Sequence, residues 1–412
     1  MNNTKTLLQD LLQDYNINVR PVLNQSEAVK VNVQMFARAI KEFDEVKETF
    51  SFVAAIGVSW IDEGMVWNPL SYGGINQITV FFSQVWVPDL IIISPSDDLE
   101  NLGAKWNRIR FYATGLAQWL PADLIQSTCA VNMRNYPFDS QSCTTSFTTL
   151  GYTGDEVVVE ATSPKINIST FQENAMWDVV DTSALSTKAG VSWQVDFIFH
   201  LKRKPSFVII NVILPILSLS LLNVLVFLLP IESGERVSYC ITVLLSIAVF
   251  MTIVSNLLPQ TSEPVPIISY KLFADMAISA LIVLVTIFTF RINGKDDAEE
   301  KVPNWLKKMY HLTTCSCCKN RKISVEQNTS RLCIKSNKEE CIPCKNEKGV
   351  PILKTDSDSE ISHQKLSDVV AKEQVTWKKI NKMVDWMAFV LFTVASFFSF
   401  GVYMAIVTVR AG

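Results

Sequence analysis

Four apolar runs constrain this chain more than any other feature. Phe207–Leu229, Val237–Leu258, Ile267–Phe290 and Met387–Val409 each hold about twenty residues or more, the length a helix needs to cross a hydrocarbon core. One such run could be a buried core helix. Four, three of them nearly consecutive, predict a membrane protein that crosses the lipid bilayer four times. Before them, Met1 leads into a polar stretch with Leu7, Leu8, Leu11 and Leu12 at helical spacing. That pattern lacks the basic leader and cleavage site of a signal peptide and predicts a short amphipathic helix over residues 4–15.

Basic residues set the orientation. Arg291, Lys295, Lys301, Lys307 and Lys308 follow the third run, and Lys378, Lys379 and Lys382 precede the fourth. They outweigh Lys202, Arg203 and Lys204 before the first run and place residues 292–383 in the cytoplasm. Residues 1–204 and the C-terminus are then expected outside the cell, with the spans in the plasma membrane. Cysteine usage agrees. Of nine cysteines, Cys129 and Cys143 stand alone in the first half, Cys240 lies in the second run, and the remaining six crowd into 315–344. A lone pair in an otherwise cysteine-free region reads as an extracellular disulfide. Asn2, Asn24 and Asn167 open Asn-x-Ser/Thr triplets in the same half and are candidate glycosylation sites.

Some functions find no support. A formal net charge of −3 gives no basic footprint for nucleic acid. The histidines, His200, His311 and His363, form no cluster, and no nucleophile–base pair or phosphate loop stands out. An enzyme and a bound cofactor are therefore not expected.

The first half reads as strands. Val29–Phe36, Phe50–Val58, Ile78–Val85, Ile109–Tyr112, Val157–Glu160 and Trp193–Leu201 are rich in β-branched and aromatic residues. Val195, Phe197 and Phe199 alternate with Gln194, Asp196 and Ile198. Turn residues separate the segments about every ten positions, the spacing of an all-β, immunoglobulin-like sandwich.

A resemblance then becomes specific. Between Cys129 and Cys143 lies AVNMRNYPFDSQS, with Tyr136, Pro137, Phe138 and Asp139 at its centre. Together with Trp60, Trp67-Asn68-Pro69, Trp86-Val87-Pro88-Asp89 and Gln118-Trp119-Leu120-Pro121, this segment resembles the Cys-loop receptors, pentameric ligand-gated ion channels. It is most similar to the nicotinic-type cation branch, as an invertebrate orphan member. The resemblance implies a β-sandwich with an N-terminal helix over residues 1–204 and three helices over 205–291. It further implies a fourth helix over 384–412 and assembly as a homo- or hetero-pentamer. Residues 292–383, without a counterpart in the resemblance, read from their polar composition as a partly disordered cytoplasmic loop.

In the second run, Glu235, Ser238, Thr242, Leu245, Val249, Thr252 and Asn256 recur every three or four residues and share one helix face. Periodicity alone leaves two readings, hydroxyls bonding across a bundle or facing water. The resemblance selects the second: five such helices line a pore. Glu235 then forms a carboxylate ring that attracts monovalent cations, and Arg236 turns away from the lumen. Leu245 matches the gate leucine, with Val249 a second apolar ring.

The resemblance also implies a coupling zone built from Glu45, Pro137, Phe138, Arg203 and Pro266, with an ion pair between Glu45 and Arg203. A snorkelling anchor is the other reading of Arg203. At the agonist cleft the chain departs from the pattern. Where the nicotinic cage has Trp, Tyr and Trp, this sequence has Ala55, Ile93 and Leu150, leaving Tyr152 and Trp193 as nearby aromatics. The loop over 181–191 lacks the adjacent cysteine pair. Without the rings that attract a quaternary amine, the small-molecule agonist is expected to differ from acetylcholine. An accessory subunit that conducts only with related subunits fits equally.

In the cytoplasmic stretch, Pro303–Leu312 is expected to form an amphipathic helix on the inner membrane surface, and Leu366–Val384 a helix leading into the fourth span. Cys315, Cys317, Cys341 and Cys344 have zinc-ligand spacing. Palmitoylation, or free thiols, are the alternatives.

Overall fold

The computed structural model describes residues 2–96, 101–103, 107–230, 235–259, 264–295, 302–314 and 375–411. These fall into two compact units. One holds the described residues up to Ile216, Val249–Phe273 and those from Phe400 onward; the other holds Leu217–Ala248 and the described part of Ala274–Ser399.

The first unit is a two-sheet sandwich preceded by a helix, α1 (Asn2–Leu12). Its strands are β1 (Val29–Asp44), β2 (Thr49–Val66), β3 (Gln77–Phe81), β4 (Leu90–Ile92), β5 (Arg108–Tyr112), β6 (Thr114–Trp119), β7 (Ala122–Thr128), β8 (Ser140–Thr149), β9 (Val157–Ala161), β10 (Trp177–Ala189) and β11 (Ser192–Arg203). The larger sheet runs β3-β5-β6-β2-β1-β9, with β7 also paired to β2, and the smaller runs β10-β11-β8-β4. Period-two alternation decides which face is buried. On β11, Val195, Phe197, Phe199 and Leu201 are buried, and on β1 Val29, Val31, Val33 and Met35 are. The rings of Phe50, Phe52 and Phe199 meet at centroid distances of 4.9–5.4 Å. Burying each such side chain contributes about 1.5–3 kcal/mol.

Several sequence expectations are corrected. The strand expected over Ile78–Val85 stops at Phe81, where the chain tightens into a 3-10 turn over Phe82–Gln84. β8 and β10 are absent from the sequence reading. β8 is rich in Ser and Thr, yet Gln141, Cys143, Thr145, Phe147 and Thr149 alternate inward, and Thr145 shares a hydroxyl hydrogen bond of 2.9 Å with Ser127. β10 is a polar edge strand with few inward apolar residues. Most of the loop expected over 181–191 belongs to β10, whose register continues to Ala189 opposite Ser192. The turn needs Gly190, at φ 61°, a conformation that a side chain would strain.

The segment after α1 docks into the sandwich. Tyr15 Oη donates to Asp62 Oδ2 at 2.6 Å and accepts from the Trp86 backbone N–H at 3.1 Å. Asp62 is fully buried on β2 and also accepts from the Gly64 N–H at 3.0 Å. Burial pushes its carboxyl up to about 6, against the opposing hydrogen bonds from Tyr15, Gly64 and Met65.

The remaining helices are α2 (Ser206–Leu228), α3 (Glu235–Asn256), α4 (Ile267–Asn293), α5 (Asn304–Thr314) and α6 (Trp377–Ala411). Of these, α2, α3, α4 and α6 are long and apolar enough to cross a membrane. In the second unit, Val226, Phe227, Cys240, Ile282, Ala388 and Phe392 form one apolar cluster. Ile292, Val302, Leu306, Trp377, Ile380 and Met383 form another. Leu306 of α5 therefore packs on protein, while Trp305 and Leu312 are exposed. α6 begins at Trp377, ten residues before its apolar run (387 − 377). The part of Leu366–Val384 before residue 375 lies outside the described residues, as do the candidate ligands Cys315, Cys317, Cys341 and Cys344.

Candidate functional site

Three groups of sequence-selected residues have distinct surroundings. The first surrounds Arg203 at the end of β11. Its Nη1 stands 2.8 Å from Glu45 Oε1, in the turn between β1 and β2. Its Nε and Nη2 donate to Asp139 Oδ1 and Oδ2 at 2.7 and 3.2 Å. The guanidinium carbon lies 4.2 Å from the Trp177 ring centroid and 5.0 Å from that of Tyr136. Burial alone would push the Arg203 guanidinium down, but hydrogen bonding and charge from Asp139, with the charge of Glu45, hold it above its ordinary value. Tyr136 is pushed up to about 12 by burial, which the Arg203 charge opposes.

Asp139 and Tyr136 lie in the segment closed by the Cys129–Cys143 disulfide, whose Cα atoms are 5.1 Å apart. That segment makes two further contacts. The Ile267 N–H, at the start of α4, donates to Arg134 O at 3.0 Å. Tyr403 Oη of α6 donates to Tyr136 O at 3.5 Å. Pro137 and Pro266 are buried and Phe138 half-buried. Sequence reasoning paired Arg203 with Glu45 alone. It missed Asp139, Trp177 and Tyr403, although the acidic residue at the centre of the disulfide segment was a usable signal.

The second group lies on α3. Glu235, Ser238, Thr242, Leu245, Val249, Thr252 and Asn256 are all exposed, Leu245 at 63% and Val249 at 53%. Arg236, Cys240, Val243, Ile247, Val254 and Leu258 are buried. At about 3.6 residues per turn these sets fall on opposite faces. The wettable residues share a face with the exposed Leu245 and Val249. Arg236 on the other face pairs with Asp385 of α6 at 2.7 Å.

The third group is scattered. Ile93 and Trp193 lie beside β8 of the smaller sheet, the Ile93 N–H donating to Ser146 O and Thr148 Oγ1 donating to Trp193 O. Leu150 and Tyr152 follow β8 in the chain, and Ala55 is a buried residue of β2 in the larger sheet. Tyr152 Oη accepts from Trp86 Nε1–H at 3.0 Å, and Ser192 Oγ donates to Tyr152 O at 3.3 Å, next to Trp193. Leu150 is 75% exposed and Ile93 42%. Trp86, read only as a landmark in the sequence, is the aromatic partner of Tyr152, with ring centroids 6.0 Å apart. The triplet asparagines Asn24 and Asn167 lie near the surface, Asn24 Nδ2 donating to Glu27 Oε1 at 3.0 Å and Asn167 Oδ1 accepting from Ser169.

Comparison with known proteins is consistent along the chain. Residues 4–205 match the family profile described as the neurotransmitter-gated ion-channel ligand binding domain. Residues 212–375 match the neurotransmitter-gated ion-channel transmembrane region. Among similar proteins, neuronal acetylcholine receptor subunit alpha-6 of Rattus norvegicus is 30% identical over 74% of this chain and 63% of its own length. Acetylcholine receptor subunit beta-type lev-1 of Caenorhabditis elegans is 29% identical over 79% of this chain and 65% of its own. Neuronal acetylcholine receptor subunit alpha-2 of Homo sapiens is 28% identical over 73% and 58%. The chain thus spans less than two thirds of the length of these relatives. With both family profiles matched in order, the sandwich followed by the membrane-length helices, the chain belongs to the neurotransmitter-gated ion-channel family of Cys-loop receptors.

Proposed function

We propose that the chain is a subunit of a pentameric, cation-selective channel of the plasma membrane, opened by an extracellular ligand other than acetylcholine. The observation that carries this reading is the division of α3. Its stripe of Glu235, Ser238, Thr242, Thr252 and Asn256 is exposed together with Leu245 and Val249, while the basic Arg236 is buried on the opposite side. Five such stripes around an axis make a pore with a carboxylate ring at one end and apolar rings at mid-height, where leucines exclude hydrated ions until they move apart.

The ligand cleft lies between neighbouring subunits, with Tyr152 and Trp193 on one side and Ala55 on the other. Ala55, Ile93 and Leu150 cannot supply the cation–π attraction of an aromatic cage, which supports a ligand other than a quaternary amine. Residues 1–204 and the C-terminus are extracellular, 205–291 and 384–412 carry the spans, and 292–383 is cytoplasmic. The cluster of Glu45, Pro137, Phe138, Arg203 and Pro266 transmits ligand binding toward the start of the spans. An accessory subunit that conducts only with related subunits is the second reading, favoured by the same three aliphatic replacements.

Leu245→Thr, expressed alone and recorded under voltage clamp, tests both without a known agonist. A wettable ring is expected to leak, with a reversal potential that follows external sodium and not chloride. Surface protein without leak favours the accessory reading, and a reversal potential that follows chloride rejects cation selectivity.

A further inference from the structure

A carboxylate and a guanidinium sit on adjacent residues where α3 begins. Side chains of neighbouring helix residues point about 100° apart, and an arginine is long enough to fold back beside Glu235 or to reach away from it. It reaches away. Arg236 is 2% exposed, and its Nη2 and Nη1 donate to Asp385 Oδ1 and Oδ2 at 2.7 and 3.1 Å. This two-pronged pairing fixes direction as well as distance. The Phe227 ring lies under the guanidinium at 5.3 Å and stacks in parallel on Phe392 at 5.8 Å. Asp385 is itself held in place, because one turn earlier on α6 Asn381 Nδ2 donates to Thr289 O of α4 at 3.2 Å. The foot of α6 is thereby tied to α3 and to α4, and the Arg236 charge is neutralised on the side of the helix opposite the exposed stripe.

We propose that Asp385 is a positioning residue for ion passage: by holding and neutralising Arg236, it leaves the Glu235 carboxylate free of a competing cation. The inference rests on the reading of Glu235 as a pore carboxylate. Without the Asp385 charge, the guanidinium has no carboxylate on its buried side among the described residues. The acid next to it in the chain is Glu235. Repeated in every subunit, this places an uncompensated positive charge beside each ring carboxylate and opposes cation entry.

The test uses the full chain in the leaking Leu245→Thr background and reads unitary conductance, which does not depend on how much protein reaches the surface. Asp385→Asn is expected to lower sodium conductance roughly twofold and to move the reversal potential toward that of chloride. Arg236→Gln with Asp385→Asn, which removes both charges, is expected to restore the parent values although the tie between the helices is gone. Arg236→Gln alone is expected to conduct at least as well as the parent, and it serves as the reading if Asp385→Asn does not assemble. Unchanged conductance in Asp385→Asn, a double variant as impaired as the single, or lowered conductance in Arg236→Gln overturns the proposal. Glu235→Gln separates the two readings. If it leaves conductance unchanged, the pore-carboxylate reading fails; if it lowers conductance while Asp385→Asn does not, only the role of Asp385 fails.

Discussion

Arg203 and Arg236 are both buried guanidiniums lying over aromatic rings, at 5% and 2% exposure, yet they are balanced differently. Arg203 is met by two carboxylates, Asp139 and Glu45, which together engage its Nε, Nη1 and Nη2. Arg236 has one, Asp385, and its Nε has no acceptor among the described residues. Removing one partner of a buried pair costs more than the pair contributes, because the remaining charge stays out of water. The Arg203 joint can lose one acid and keep another. The Arg236 joint cannot. Asp62 is the third case: buried with no ion pair among the described residues, it relies on a phenol hydroxyl and backbone amides.

The largest expected effect tests the asymmetry within the Arg203 joint. Asp139 is 1% exposed and Glu45 16% at the side chain. With Glu45 still beside the guanidinium, Asp139→Asn is expected to destabilise the sandwich by about 1.5–3 kcal/mol, read as a lowered thermal unfolding midpoint of detergent-solubilised protein. Glu45→Gln is expected to cost about 1 kcal/mol. Equal losses would mean that the two acids share the charge evenly and that burial does not rank them.

Asp62 sharpens the contrast through pH. Its folded-state value of about 6 lies above the ordinary 3.8, so the folded protein holds this proton more tightly than the unfolded chain does. Its contribution to stability is fully present below 3.8, is lost as pH rises through about 6, and stays lost above that. Asp62→Asn is expected to remove this slope from unfolding midpoints measured between those values. A slope that persists unchanged would assign it to another group. The smallest effect is expected at Leu150. An exposed side chain makes few contacts, so Leu150→Ala should change stability by less than about 0.5 kcal/mol, measured in the same unfolding assay. A larger loss would show that the aliphatic cage position is structural.

What the sequence made legible follows the same physics. Val195, Phe197 and Phe199 announced their strand because inward burial leaves a period-two trace. β8 left none, since Cys143, Thr145 and Thr149 fill its inward positions without looking apolar. The helix expected over Leu366–Val384 and on into the fourth span is present from Trp377, and Lys378, Lys379, Lys382 and Asp385 lie in its first turns. In the structure Trp377, Ile380 and Met383 carry the buried side of those turns. Glu45 and Arg203 were paired through the family pattern, and their ion pair is present. Asp385 could not be matched to Arg236 because 149 residues separate them and neither periodicity nor motif links the two.

Tyr15 has a practical consequence for anyone who shortens this protein. Residues ahead of the first strand look dispensable, since they add no strand to either sheet. Yet the Tyr15 hydroxyl is the side-chain donor to a carboxylate sealed inside the sandwich. A chain trimmed beyond that tyrosine would open Asp62 to solvent or force it to keep its proton. Binding or stability measured on such a fragment would describe a domain with a different charge in its core.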